Sequence, residues 1–179
     1  VIVSADKDFI QLLDEFTVLH RPIQKEYLNK NNVVDKFRIH PTNFALARAI
    51  VGDSSDNLPG VPRVGLETVA KRFPFLKEDV TYYLGSIIEE CKDPKNKQKV
   101  YKNILESKEL IKNNYDIMQL SSPMLSIQAK QGIDDTFEQY KPHYNQTEMR
   151  KLMLQDGVLT VSTVDLEQRF NNIIASFSE

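Results

Sequence analysis

The sequence predicts an α/β fold: the end of a parallel-type sheet followed by a mainly helical C-terminal region. Three observations predict it. A β-branched run, Val1-Ile2-Val3, leads straight into the polar stretch Ser4-Ala5-Asp6-Lys7-Asp8, as a core strand does when its carboxyl end delivers a loop. From Pro41 to Val51 apolar residues recur at helical spacing. Beyond residue 76 the apolar patterns are of helix length.

Taken in order, Phe9, Ile10, Leu12 and Leu13 outline a brief helix after the first strand. Thr17-Val18-Leu19 reads as a second strand and Glu26-Tyr27-Leu28 as a third. Pro41 and Thr42 open a helix, because proline suits a first turn. Its apolar residues are Phe44, Ala47 and Val51, joined by Leu46 and Ile50, and it stops near Gly52. Leu58 to Gly65 is too rich in Pro and Gly for a regular element. It feeds a short helix with Leu66, Val69, Ala70 and Phe73 on one face, ended by Pro74. Residues 79–91 and 97–113 read as two helices separated by the polar Lys92–Asn96 turn. Residues 121–146, with Pro123, Gly132 and Pro142, read as irregular; two last helices fall around 147–155 and 163–175, hinged at Asp156-Gly157. There is no internal repeat and no low-complexity tract.

The chain has 179 residues, 41% of them hydrophobic, which is enough to bury a core and excludes disorder as its general state. No stretch approaches the roughly 18 consecutive apolar residues of a membrane span, so the expectation is a soluble chain with no membrane partner. The single cysteine, Cys91, excludes an internal disulfide and a cysteine-rich zinc site, and fits a reducing, cytoplasmic compartment. With 23 Lys+Arg against 25 Asp+Glu the net charge is -2, so a nucleic-acid partner would have to be held by local patches. The chain starts inside a core strand with neither an initiator Met nor a leader pattern. The expectation is therefore the C-terminal portion of a longer enzyme, or one half of a split one.

Four aspartates stand out. Asp6 and Asp8 lie where a strand gives way to a helix, and two carboxylates two residues apart in such a loop can face one crevice. Asp53 and Asp56 follow a helix end at a spacing of three, which puts both on one side of a turn. Carboxylates without His or Cys nearby are hard oxygen ligands, suited to Mg²⁺ or Mn²⁺ rather than zinc. Taken separately, each pair reads more readily as turn chemistry than as ligands: Asp8 as an N-cap before Phe9, Asp53 with Ser54 and Ser55 as an Asx-turn. The two pairs together, with the glycine-proline run directly after the second, favour ligands. In that run Gly60-Val61-Pro62-Arg63-Val64-Gly65 supplies two glycines for tight or left-handed turns before a helix. Amides at that helix start, with Arg63, Lys71 and Arg72 beside them, would grip a duplex backbone without reading bases.

The stretch Ser4-Ala5-Asp6-Lys7-Asp8-Phe9, followed by Gln11-Leu12-Leu13, resembles one metal motif of the 5′ nuclease (flap endonuclease) family. The run Gly52-Asp53-Ser54-Ser55-Asp56-Asn57-Leu58-Pro59-Gly60-Val61-Pro62 resembles the second, leading into that family's helix–turns–helix DNA-binding element. The resemblance covers residues 1 to about 75 and is close to the 5′ nuclease domain of bacterial DNA polymerases. The helical tail with Asp156-Gly157-Val158-Leu159 looks more like the phage ribonuclease H and 5′-3′ exonuclease branch, which clears RNA primers in the host cytoplasm. The implied organisation is 1–57 as the C-terminal part of a nuclease core, 58–75 as the DNA-binding element and 76–179 as a helical region.

The resemblance implies two-metal phosphodiester hydrolysis at a 5′ end or flap of DNA or an RNA–DNA hybrid. It makes Asp6, Asp8, Asp53 and Asp56 the catalytic metal ligands for two Mg²⁺ or Mn²⁺ ions. Gly60, Val61, Arg63, Val64, Gly65, Lys71 and Arg72 become the DNA-binding residues, with the Val61 and Val64 carbonyls candidates for holding a K⁺ ion against a phosphate. The family's upstream carboxylates and basic arch residues are absent from these 179 residues, so the chain alone is expected to be inactive or nearly so.

Two readings from other classes stay open: a non-catalytic module binding branched or nicked duplexes, and a replisome subunit complementing a separate N-terminal half. Lys92, Lys95, Lys97, Lys99 and Lys102, opposed only by Asp93, read as a solvated turn rather than a second duplex contact. Tyr82, Tyr83 and Tyr101 read as core or semi-core, Cys91 as a buried apolar residue, and His20, His40 and His143 as without a role. Val164, Leu166, Phe170, Ile173 and Ile174 read as a packing face, with docking of a single-strand-binding protein as the alternative.

Overall fold

Three short strands make a mixed sheet in the order β1-β2-β3. β1 (Ile2–Val3) runs parallel to β2 (Leu19–Arg21), and β2 runs antiparallel to β3 (Glu26–Leu28). The computed structural model describes residues 1–122, 125–141, 143–158 and 160–176; Pro123, Pro142 and Leu159 lie outside the described residues. The first strand is less buried than its composition predicts: Val1 and Val3 are 81% and 65% exposed. Alternation turns only Ile2 toward the core. The strand expected at Thr17 starts at Leu19 instead, because Asp14 accepts the N–H groups of Phe16 (2.9 Å) and Thr17 (2.8 Å) and holds that stretch in a turn.

A helix that the apolar pattern does not announce, α1 (Lys30–Phe37), follows β3. It rests on its caps. Asn29 and Asn32 form a reciprocal capping box, and Arg38 closes the far end in the left-handed region. A 3₁₀ turn at Pro41–Asn43 then opens α2 (Phe44–Val51), in which every residue from Phe44 to Ile50 is buried.

Next come α3 (Leu66–Arg72), a 3₁₀ turn at Pro74–Lys77, α4 (Leu84–Lys92), α5 (Lys99–Glu106) and α6 (Lys108–Met118). The single helix expected over 97–113 is two. They break at Ser107, whose N–H is shared between the carbonyls of Asn103 and Ile104. The helix expected from 79 begins only at Leu84, because buried Asn43 holds the preceding backbone extended. Its amide donates to the carbonyls of Leu76, Glu78 and Val80 and its oxygen accepts from the Tyr82 N–H.

These elements belong to one unit, Val1–Met124. Its core includes Ile10, Leu19, Leu28, Ile39, Phe44, Ile50, Phe73, Leu76, Ile87, Ile104 and Ile111. Cys91 is buried in it, and burial pushes the thiol up to about 11. Tyr101 is buried and Tyr82 half-buried, but Tyr83 is 64% exposed and lies outside the core.

The second unit, Leu125–Glu179, contains α7 (Ile127–Gln139), α8 (Gln146–Gln155) and α9 (Thr163–Ser176). α7 corrects the irregular segment expected over 121–146: Ser126 caps it by accepting the Ala129 N–H, and Gly132 is carried inside it. Within this unit Tyr144 packs its ring on Phe170. Leu166, Phe170 and Ile174 are half-buried, whereas Val164 and Ile173 are exposed, so only part of the expected face packs. No helix among the described residues is long and apolar enough to cross a membrane.

His40 offers a test of the packing. Its ring is buried, Nδ1 accepts the Thr42 N–H, and Nε2 has no hydrogen-bond partner among the described residues. Burial lowers its pKa below 6.5, against the pull of the nearby Asp79 carboxylate. A lowered histidine pKa means the unfolded chain binds the proton first. Its stabilising contribution is therefore full above about pH 6.5 and is lost as pH falls toward the folded value. Urea unfolding of wild type should show stability declining from pH 7 to pH 5, and His40→Gln should flatten that decline.

Candidate functional site

The two aspartate stretches converge because two backbone returns are pinned. On the first side, strand pairing continues past β1 to Ser4, whose N–H donates to the His20 carbonyl at 3.0 Å. The chain then turns on its own side chains: Asp6 N–H donates to Ser4 Oγ (3.1 Å) and Asp8 N–H to Asp6 Oδ1 (2.8 Å). The guanidinium of Arg21 donates to the Ala5 carbonyl and pairs with Glu26. Asp8 is the first residue of a 3₁₀ helix, Asp8–Leu12, not its N-cap, which is Lys7. Gln11 fixes that helix by donating to the Met118 carbonyl (2.9 Å) and accepting the Leu120 N–H (2.8 Å).

On the second side, α2 ends at Gly52 (φ 76°), and Asp53 and Leu58 exchange backbone hydrogen bonds of 2.8 Å each, closing the loop between them. A Cβ on Gly60 would lie 1.7 Å from the Val51 carbonyl oxygen, and one on Gly52 would lie 2.4 Å from the Gly60 nitrogen. Only two glycines allow this backbone approach. Asn114 seals it from α6, donating to the carbonyls of Ala49 (3.0 Å) and Pro59 (2.9 Å). Asp53 does form the Asx-turn, accepting both the Ser55 N–H and its hydroxyl at Oδ1.

The result is a carboxylate trio. One oxygen from each of Asp8, Asp53 and Asp56 lies within 4.8 Å of the others. Asp6 is exposed and lines a cleft of about 440 Å³ with Asp53 and Asp56, without joining the trio. Burial raises the Asp8 pKa, while the hydrogen bonds from Ser55 hold Asp53 down at about 2. A donor set made only of carboxylate oxygens suits a hard divalent cation.

Arg48 is the residue the sequence reading missed. It lies inside the all-buried run of α2, and its Nε donates to Asp8 Oδ1 at 3.0 Å. Its other nitrogens reach Asp53 Oδ2 and the Gly52 carbonyl. A charge within an apolar helix face is the signal that could have found it, since a buried cation needs anions.

The Gly60–Gly65 turn differs from expectation in one respect. Neither glycine is left-handed; Asn57 (φ 57°) and Arg63 (φ 64°) are. Gly60 is required by the close approach to Val51, whereas a Cβ on Gly65 meets nothing within 4 Å. Arg63 and Lys71 are exposed. Arg72 instead lies over the Tyr101 ring at 5.8 Å, with its Nε buried and lacking a hydrogen-bond partner among the described residues. The Val61 carbonyl accepts the Val64 N–H at 3.2 Å and is engaged within the turn. Lys36 and Arg38 share a groove of about 640 Å³ with Gly65 and Lys71, adding cations that the sequence reading had not singled out.

The chain is 41% identical over 81 residues to a 5′-3′ exonuclease of Buchnera aphidicola from Schizaphis graminum, covering 43% of this chain and 28% of that protein. It is 39% identical over 67 residues to a 5′-3′ exonuclease of Aquifex aeolicus, covering 37% of this chain and 23% of that one. It is 31% identical over 141 residues to DNA polymerase I of Lactococcus lactis, covering 75% of this chain and 15% of that protein. The matches thus span less than a third of these relatives. Among solved structures, T5 5′-exonuclease with bound divalent metal ions (zinc) matches at 22% identity and a TM-score of 0.53, over 65% of this chain and 41% of that one. A T5 D15 flap endonuclease complex with DNA and metal ions matches with a TM-score of 0.52, over 65% of this chain and 41% of that one, also at 22% identity. These two likenesses speak for the fold. No protein-family model matches the chain. The resemblance to the 5′ nuclease family holds over part of the chain.

Because the added Cβ at Gly60 meets backbone rather than a side chain that can swing away, Gly60→Ala should destabilise the first unit by about 3 kcal/mol or more, read by denaturant unfolding. Gly65→Ala, with open space around it, should change stability by less than about 1 kcal/mol in the same assay.

Proposed function

We propose that this chain supplies the Asp6/Asp8 and Asp53/Asp56 carboxylates and the duplex-gripping turn of a 5′-3′ exonuclease and flap endonuclease. It would act on DNA or an RNA–DNA hybrid with Mg²⁺ or Mn²⁺. The observation that carries the reading is the meeting of Asp8 with Asp53 and Asp56, from stretches far apart in sequence, beside the Gly60–Gly65 turn. Both the carboxylate chemistry and the names of the exonuclease relatives support it.

In this reading Asp8, Asp53 and Asp56 hold a divalent cation, with Asp6 lining the adjoining cleft. When bound, such a cation supplies Lewis acidity toward a phosphodiester and charge to offset the leaving oxygen. The chain's own residues do the rest. Ser55 fixes the Asp53 carboxylate in one orientation. Asp8, half-buried, keeps one oxygen on Arg48 and lines a pocket with Asp6 and Asp56. Arg63 and Lys71 neutralise duplex phosphates, with Arg38 beside Lys71 in the groove, where Lys36 is already paired to Glu26. The Val61 and Val64 carbonyls are the candidates for a K⁺ ion bridging to a phosphate, Val61 with one lone pair already taken by the Val64 N–H.

Two-metal hydrolysis needs more hard ligands than these aspartates provide, so the 179-residue chain alone is proposed to bind DNA but not to cut it. The competing reading, a non-catalytic duplex-binding module, has one observation in its favour: Arg48 already neutralises part of the carboxylate cluster.

The test uses a 5′-labelled flap duplex with Mg²⁺, added to the chain alone and to the chain joined with an upstream polypeptide carrying further carboxylates. The chain alone should bind with an affinity that falls steeply with salt and release no product. Arg63→Ala with Lys71→Ala should weaken that binding at least tenfold. The joined protein should cut, and Asp8→Asn or Asp53→Asn should reduce its cutting by a factor of about 10² or more without loss of binding. Robust cutting by the chain alone would refute its inactivity. Binding that survives these substitutions in a joined protein that never cuts would favour the binding module.

A further inference from the structure

Arg48 brings one positive charge into a group of carboxylates that would otherwise repel each other. Its side chain is only 11% exposed, and those of Asp8 and Asp53 are 15% and 17% exposed, so all three charges are largely withdrawn from water. Among the described residues lining the cleft, Arg21 is the other arginine, but its guanidinium is taken by the Ala5 carbonyl and Glu26. Arg48 holds the two stretches together directly: Nε on Asp8 Oδ1, a second nitrogen on Asp53 Oδ2, and the third on the carbonyl of Gly52, which caps its own helix. It therefore occupies one oxygen on each of two trio members.

Resting on the metal reading above, we propose that Arg48 is the site's resident counter-ion, standing in for a divalent cation and competing with it. Without metal, its two ion pairs keep Asp8 and Asp53 at the separation a cation needs. A cation entering between them meets a fixed positive charge at short range and must share or displace its carboxylate oxygens. Like charges in a partly buried site repel more strongly than they do in water. Arg48 thus preorganises the cleft and weakens its hold on metal, so the cation is exchangeable rather than structural. It is a positioning residue, acting through the two aspartates.

The measurement is Mn²⁺ binding by calorimetry and thermal unfolding with and without Mn²⁺ on the complete chain, as wild type, Arg48→Met and Arg48→Lys. Arg48→Met should unfold at a lower temperature than wild type when metal is absent, bind Mn²⁺ about tenfold or more tightly, and gain more in unfolding temperature on saturation. Arg48→Lys keeps the charge but reaches one carboxylate at a time, so its Mn²⁺ affinity should fall between the two. A purely structural arginine would lower the unfolding temperature equally with and without metal and leave affinity unchanged or weaker; that result overturns the proposal while the metal reading stands. Absence of Mn²⁺ binding in all three chains overturns both. Should Arg48→Met be unfolded without metal, refolding on Mn²⁺ addition supports the proposal. Failure to refold, with Arg48→Lys binding no more tightly than wild type, overturns it.

Discussion

Everything at the cleft depends on a contact between two stretches of backbone. The carbonyl end of α2 and the return of the following loop touch at Gly52 and Gly60, closer than any side chain allows. That contact sets the length of the loop holding Asp53 and Asp56, and so fixes where their carboxylates sit. Asn114 supplies its lid from α6, and the Val61 N–H adds a 2.8 Å bond to the Ile50 carbonyl. The buried face of α2 ties the same segment into the core. The loop that carries Asp53 and Asp56 is thus held by glycine contact and amide hydrogen bonds, apart from the charge of Arg48.

Within that frame, electrostatics divides the aspartates by their surroundings. Asp53 is held ionised by donors from Ser55 and by Arg48. Asp8, with burial against it and fewer donors, holds its proton more tightly than a free carboxyl does. Asp56 is exposed, and its side chain makes no hydrogen bond among the described residues. Three similar side chains are given different tasks by the number of donors pointed at each.

How much of this was legible in the sequence depends on how local each signal is. The aspartate pairs and the glycine-proline turn are short motifs whose chemistry lies in adjacent residues, so their convergence could be anticipated. α3 and the end of α2 were readable from Pro74 and Gly52 for the same reason. α1 was not, because Lys30-Asn31-Asn32-Val33-Val34 is poor in helix formers and the helix stands on an asparagine capping box. α7 escaped because no residue in it is buried, leaving no apolar stripe to see. The glycines showed a different limit. Composition reveals that a glycine is present but not whether dihedral freedom or lack of bulk is being used, and at Gly60 it is bulk. Arg48 was hidden by its neighbours: its meaning depends on two anions that only the folded chain brings alongside it.

The turn ahead of α3 has one further consequence. Arg63 sits at φ 64°, a backbone shape that costs an ordinary L-residue about 1 kcal/mol and a glycine almost nothing. Glycine there would relax the loop and remove the exposed guanidinium at its tip. Selection for heat resistance alone would drift toward that exchange, whereas selection for holding a polyanion would resist it. At position 63, therefore, an easier backbone shape and an exposed cation are alternatives, and this sequence has the cation.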